Sequence, residues 1–172
     1  MSWSVVVEAL LLRRLGDGLL AFRRVVAQAP PDADLDRCAH DLAGALDDRG
    51  GAVLHSTSWR VEGPGRLVVT YAALPDPEPG RPAAPLLEPA VVVGATALRP
   101  SPQVLHAHHV AAHAVRHLAD LAERDPVVRE AAALQPELWA AVALTAARTP
   151  AAGSHEQAHL LAAQVAPLLS GG

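Results

Sequence analysis

Short apolar runs set between turn residues fill the first half of the chain, whereas the second half repeats apolar positions three and four apart. Residues 4–13 and 18–26 read as two strands around Gly16-Asp17-Gly18, a turn whose glycines reach positive φ without strain. Pro30 and Pro31 lead into a predicted helix over 35–49 with Asp34 as N-cap. Leu35, Cys38, Ala39, Leu42, Ala45 and Leu46 fall on one face of it, and Gly50-Gly51 is the expected stop. Residues 52–61 and 66–74 form a second hairpin across Glu62-Gly63-Pro64-Gly65. The segment 75–89 holds Pro75, Pro77, Pro79, Pro82, Pro85 and Pro89; missing N–H donors and fixed φ exclude a helix or a central strand there, and predict an irregular, mobile connector or lid.

Beyond the connector, 90–98 reads as one more buried strand, and helices are predicted near 102–124, 126–133, 136–148 and 155–168. Pro102, Pro126 and Pro136 stand at first helical positions, where a missing N–H costs nothing. Ser154 and Gln157 make a capping box, and Pro167 ends or kinks the last helix. These elements predict an α+β protein. A small mixed or antiparallel sheet with one packed helix occupies residues 1–98, and a helical region, 99–172, packs on it as one domain.

Composition supports a real core, since 51% of the 172 residues are hydrophobic; with aromatics at 3%, Ala, Leu and Val must build it. The chain has no Lys, Ile or Asn, and all 14 basic residues are Arg. Those missing residues share A/T-rich codons, which points to a high-GC bacterial genome and removes functional weight from the arginines. The net charge of −4 is spread among interspersed acids and bases. No basic stripe is present for a phosphate backbone, so nucleic acid is not an expected partner. A single cysteine, Cys38, leaves no internal disulfide and no cysteine-based zinc site. The first residues lack a basic n-region, and no run approaches the roughly 20 apolar residues of a membrane helix, so the expected compartment is the cytoplasm.

Candidate chemistry lies in three places. His106, His109, His113 and His117 step along the 102–124 helix, beside an apolar face of Ala107, Ala111, Ala114, Leu118 and Leu121. Such a stripe can hold a metal or handle protons, with Asp120 as ligand or orienter, but a solvated polar face explains it more simply. His155-Glu156-Gln157-Ala158-His159 matches H-E-x-x-H and so resembles the zinc-metalloprotease signature. That resemblance implies two histidine ligands and Glu156 as general base. It covers five residues, no His, Asp or Glu follows, and a glutamate in the first turn of a helix is favoured without catalysis. A zinc site would therefore join His155 and His159 to His109, His113 or His117.

The third place is the strand His55-Ser56-Thr57-Ser58-Trp59-Arg60, a polar island in an apolar chain. Strict alternation puts His55, Thr57 and Trp59 on one face and Ser56, Ser58 and Arg60 on the other, with Thr70 and Tyr71 on the partner strand. An imidazole, hydroxyls, an indole and a guanidinium suit an anionic or hydrogen-bonding ligand, unless Trp59 merely plugs the core.

The order strand, strand, loop, helix, glycine, strand, strand over residues 4–74 resembles a Nudix-type α/β/α sandwich. That family binds magnesium through a glycine-initiated box with an Arg-Glu pair followed by two glutamates. Here His40-Asp41 and Gly44-Ala45 stand at those places, so the resemblance implies the shell without the hydrolysis. No G-x-S-x-G and no phosphate loop occurs.

The reading favoured on sequence is a non-catalytic module binding a small molecule or a protein through His55, Thr57, Trp59, Arg60 and Tyr71, without a cofactor. A homo-oligomer is one form that such binding takes. The alternative is a zinc-binding protein or metal-dependent hydrolase using His109, His113, His117, His155 and His159.

Overall fold

In the computed structural model, residues 3–44, 46, 50–87, 89 and 105–149 are described. The expected strand at 90–98 and the expected 155–168 helix, with His155, Glu156 and His159, lie outside them, and the helix expected over 102–124 begins only at Ala107, with His106 as its extended N-cap. Among the described residues, five strands form one mixed sheet: β1 (Ser4–Arg14), β2 (Leu20–Gln28), β3 (Val53–Val61), β4 (Arg66–Leu74) and β5 (Ala84–Pro85), in the order β3-β4-β1-β2-β5. The two predicted hairpins, β1–β2 and β3–β4, are antiparallel, and they join through a parallel pairing of β1 with β4. Placing β1 at the centre follows from its sequence, because SVVVEALLLRR is a near-continuous apolar run and only a strand covered on both faces can bury it.

Helix α1 (Leu35–Ala43) lies over one face. Asp34 caps it as expected, its Oδ1 accepting from the N–H groups of Asp36 and Arg37 at 3.0 and 3.2 Å. Leu35, Cys38 and Leu42 pack with Val7 and Tyr71 of the sheet, around fully covered Ala39. The helix is shorter than the predicted 35–49. Gly44 takes φ 86°, and its N–H bonds back to His40, so the chain leaves the helix six residues before Gly50. Of the predicted face, Leu35, Cys38, Leu42 and Leu46 are half-buried and Ala39 is sealed.

The opposite face carries α2 (Ala107–Arg124) and α4 (Pro136–Arg148), with α3 (Pro126–Leu134) linking them. Leu10, Leu12, Phe22, Leu74, Val115 and Leu118 are among the side chains that fuse sheet and helices into the main core. Asp125 caps α3 through Val127 and Val128, with Pro126 at the first helical position as the sequence predicts.

The proline-rich connector differs from the expected wholly irregular segment. Ala84 and Pro85 pair with Phe22 and Ala21 as a short edge strand, and Leu86 is buried with its N–H on the Leu20 carbonyl, 2.8 Å. Asp76 anchors the near end. Its carboxylate, sealed from solvent, accepts from Arg23 at 2.8 Å and from Arg13 at 3.5 Å. Proline tolerates this edge because its missing N–H can face away from the ladder.

Candidate functional site

A β-bulge between Ser56 and Ser58 decides how β3 presents its side chains. Ser56 pairs with Tyr71 and Ser58 with Thr70, so Thr57 is the extra residue, and its hydroxyl donates to the Thr70 carbonyl at 3.3 Å. Alternation is broken there. His55 pairs with Ala72 and Arg60 with Val68 on the α2 side, while Trp59 pairs with Val69 on the α1 side. The strict alternation expected from sequence, which put His55 with Trp59, is corrected by this one inserted residue. Of the five expected ligand residues, Trp59 and Tyr71 share the α1 side, His55 and Arg60 share the other, and Thr57 is buried in the bulge.

On the α2 side, Arg60 completes an ionic network around Glu8. Arg60 Nη1 donates to Glu8 Oε2 at 2.7 Å and Nη2 to Oε1 at 3.1 Å. The Thr70 hydroxyl donates to Oε2 at 2.7 Å, and Arg24 Nε donates to Oε1. Glu62 takes the remaining edge of Arg60, Nε to Oε1 at 2.9 Å. Burial on its own pushes the Glu8 carboxyl up, yet the hydrogen bonds from Arg60, Thr70 and Arg24 and the Arg60 charge overcome it and hold the group at about 2. Through these bonds Arg60 ties β3 to Glu8 of β1 and Thr70 of β4.

The histidines divide in a similar way. His106 is the N-cap of α2, and its N–H donates to His109 Nδ1 at 3.4 Å. The rings of His106, His108 and His109 lie 4.0 to 5.5 Å apart. Partial burial, then the neighbouring His108 and His106, hold the His109 imidazole below its ordinary value. Further along α2, His117 meets His55 of β3, with ring centroids 5.4 Å apart. Among the described residues, no group of three or more His, Cys, Asp or Glu is arranged to hold a metal ion.

The α1 side offers a different surface. Helix α1 covers β1 and the middle of β4 but leaves the start of β4 and the end of β3 partly open. Trp59 is 37% and Val61 47% exposed, and Leu67, Val69 and Val5 beside them are half-buried. Trp3, adjoining the start of β1, is 62% exposed. Two of the three tryptophans thus stand at this end of the sheet, while Trp139 is in the core. The chain matches no family model, no curated protein and no solved structure.

Polar groups edge this apolar surface. The Tyr71 hydroxyl donates to Asp36 Oδ1 at 2.7 Å. Burial, and then the Asp36 hydrogen bond, push its phenol well above the ordinary value, so it stays a neutral donor rather than a base. Glu62, 41% exposed, stands at the hairpin end, paired with Arg60 and Arg66. On the other flank of α1 a shallow groove of 390 Å³ opens between β1, β2 and the helix, lined by Val7, Ala27, Pro30, Cys38, Asp41 and Leu42. Sequence reading passed over Trp3, Val61, Asp36 and Glu8. Only Glu8 carried a sequence signal, as a single acid inside an apolar strand; the others gain meaning from the bulge and from where α1 lies.

Proposed function

We propose that this chain is a non-catalytic binding module of the bacterial cytoplasm, and that it recognises its partner on the open sheet surface around Trp59 and Val61. The observation that carries the reading is the bulge-directed exposure of Trp59 beside Val61 in a chain with only three tryptophans. An apolar patch with an aromatic centre and a polar rim is what recognition surfaces present. Tyr71 and Asp36 supply a hydrogen-bonding edge.

Titration of the 15N-labelled chain with indole and with leucine amide tests this by NMR. Amide shifts should centre on Trp59, Val61, Leu67 and Val69. Shifts centred instead on Cys38 and Leu42, or on α2, would sink the reading.

A second reading, zinc bound by histidines, is favoured by the meeting of His117 on α2 with His55 on β3. It needs His155 or His159 in addition to His109, His113 or His117, since a structural zinc site takes about four protein ligands. Zinc analysis of tag-free protein tests it, and metal-free protein with an unchanged melting temperature on zinc addition would remove it.

A further inference from the structure

We infer that the open half of the outer edge of β2, from Arg24 to Gln28, pairs with the same stretch of a second copy of this chain, antiparallel and with Val26 on the two-fold axis. This edge lies across the sheet from β3 and Trp59, and the inference does not depend on the function proposed above.

The backbone carries the first argument. Odd-numbered residues of β2 turn their N–H and C=O groups toward β1, as the bonds from Ala29 N to Val5 O at 2.9 Å and from Leu15 N to Leu19 O at 2.8 Å require. Even-numbered residues therefore face outward. Leu20 and Phe22 meet β5 there, with Leu86 N donating to the Leu20 carbonyl at 2.8 Å. The next bonding position in that register, opposite Arg24, falls to Pro82, which has no N–H to give. Strand β5 stops at Ala84, and the outward groups of Arg24, Val26 and Gln28 meet no strand among the described residues. All three residues are exposed.

Sheet edges are commonly guarded by a charge, a proline or a bulge, because a row of unpaired N–H and C=O groups templates another strand. The other edge, β3, has its bulge at Thr57. The open part of β2 runs in unbroken register, and its one charged side chain, Arg24, is drawn away to Glu8. Val26, 38% exposed, stands at its middle.

The second argument is that this stretch is its own complement. With Val26 opposite the partner's Val26, Arg24 meets the partner's Gln28 and Gln28 meets the partner's Arg24. No like charges face each other, and each of the three pairs exchanges two N–H···O bonds, about six in all. A slip one way sets Arg24 opposite the partner's Pro30, and a slip the other way sets the partner's Gln28 opposite Phe22, where β5 already sits. One register satisfies all three residues, and both of its limits are set by this chain. A second copy thus has the length and side chains that the edge accepts.

Sedimentation of the full chain over a range of concentrations tests the pairing. So short an interface should give a reversible dimer with Kd on the order of tens of micromolar. Val26→Lys sets two ammonium groups against each other across the axis and should weaken the dimer about tenfold or more. Cross-linking tests the register separately. In a Cys38→Ala background, Val26→Cys should form an intermolecular disulfide under mild oxidation, because residues paired on the axis lie about 5.5 Å apart at Cα. Gln28→Cys, equally exposed but far from its own equivalent, should not. A chain that stays monomeric at high concentration would overturn the proposal. So would a dimer unaffected by Val26→Lys, or one that cross-links through Gln28→Cys and not Val26→Cys. A dimer dissociated by Trp59→Ser but not by Val26→Lys would place the contact on the Trp59 surface and overturn it as well.

Discussion

Arg60 on β3 reaches across β4 to Glu8 on β1, Nη1 to Oε2 2.7 Å, and neither side chain has appreciable contact with solvent. Its neighbour Trp59 points to the other side of the sheet and is partly open. One inserted residue, Thr57, produces both outcomes. The bulge is thus a single local device that places a charge inside and an indole outside.

Removing one partner of that pair should be costly. Arg60→Met is expected to destabilise the fold by about 3–5 kcal/mol, because Glu8 would stay buried with only Arg24 and Thr70 to satisfy it. Adding Glu8→Leu should recover a large part of the loss. Urea unfolding of the two single variants and the double variant measures this. Additive losses would mean that the two residues do not act as a pair.

Glu8 also predicts an acid limb in the stability curve. Its carboxyl is held at about 2 in the fold, below its ordinary value of 4.5, so the folded state favours the ionised form. That contribution is fully present above pH 4.5 and is lost as pH falls through the interval down to 2. Melting temperature should therefore fall more steeply over this interval in the native chain than in Glu8→Gln. Parallel acid limbs in the two proteins would contradict the assignment.

Tryptophan substitutions should separate surface from core. Trp139→Ala is expected to cost about 3–5 kcal/mol, as for a buried aromatic. Trp59→Ser should cost less than half as much, since the indole is already 37% exposed. Denaturant midpoints compare them directly. A Trp59→Ser loss as large as that of Trp139→Ala would make Trp59 a core plug.

Asp76 predicts where the proline-rich segment gives way. Its carboxylate holds Arg13 and Arg23, and Leu86 seals the other end. Limited proteolysis of the native chain should cut within the exposed stretch 78–82 and spare both anchors. Asp76→Ala should speed that cleavage and lower stability by about 3 kcal/mol or more, because two arginines lose a sealed carboxylate. Unchanged cleavage in Asp76→Ala would show that the connector is held by other contacts.

What the chain determines by itself is local. The apolar runs of β1 and β2, the caps at Asp34 and Asp125, the prolines that open α3 and α4 and the glycine turn of the β3–β4 hairpin are legible because each depends on residues a few positions apart. The early end of α1 at Gly44 was harder to read, since Ala45 and Leu46 continue the apolar spacing and Gly50-Gly51 offers a second stop. Tertiary structure decided the rest. The parallel pairing of β1 with β4 places Thr70 opposite Glu8, and the bulge at Thr57 gives Arg60 to the same carboxylate, although these residues lie 62 and 52 positions from Glu8. A bulge shifts every later side chain to the other face while leaving composition and apolar spacing unchanged. For that reason the sequence could mark His55, Trp59, Arg60 and Tyr71 as chemically distinctive, but only the folded sheet could divide them between a buried network and an open surface.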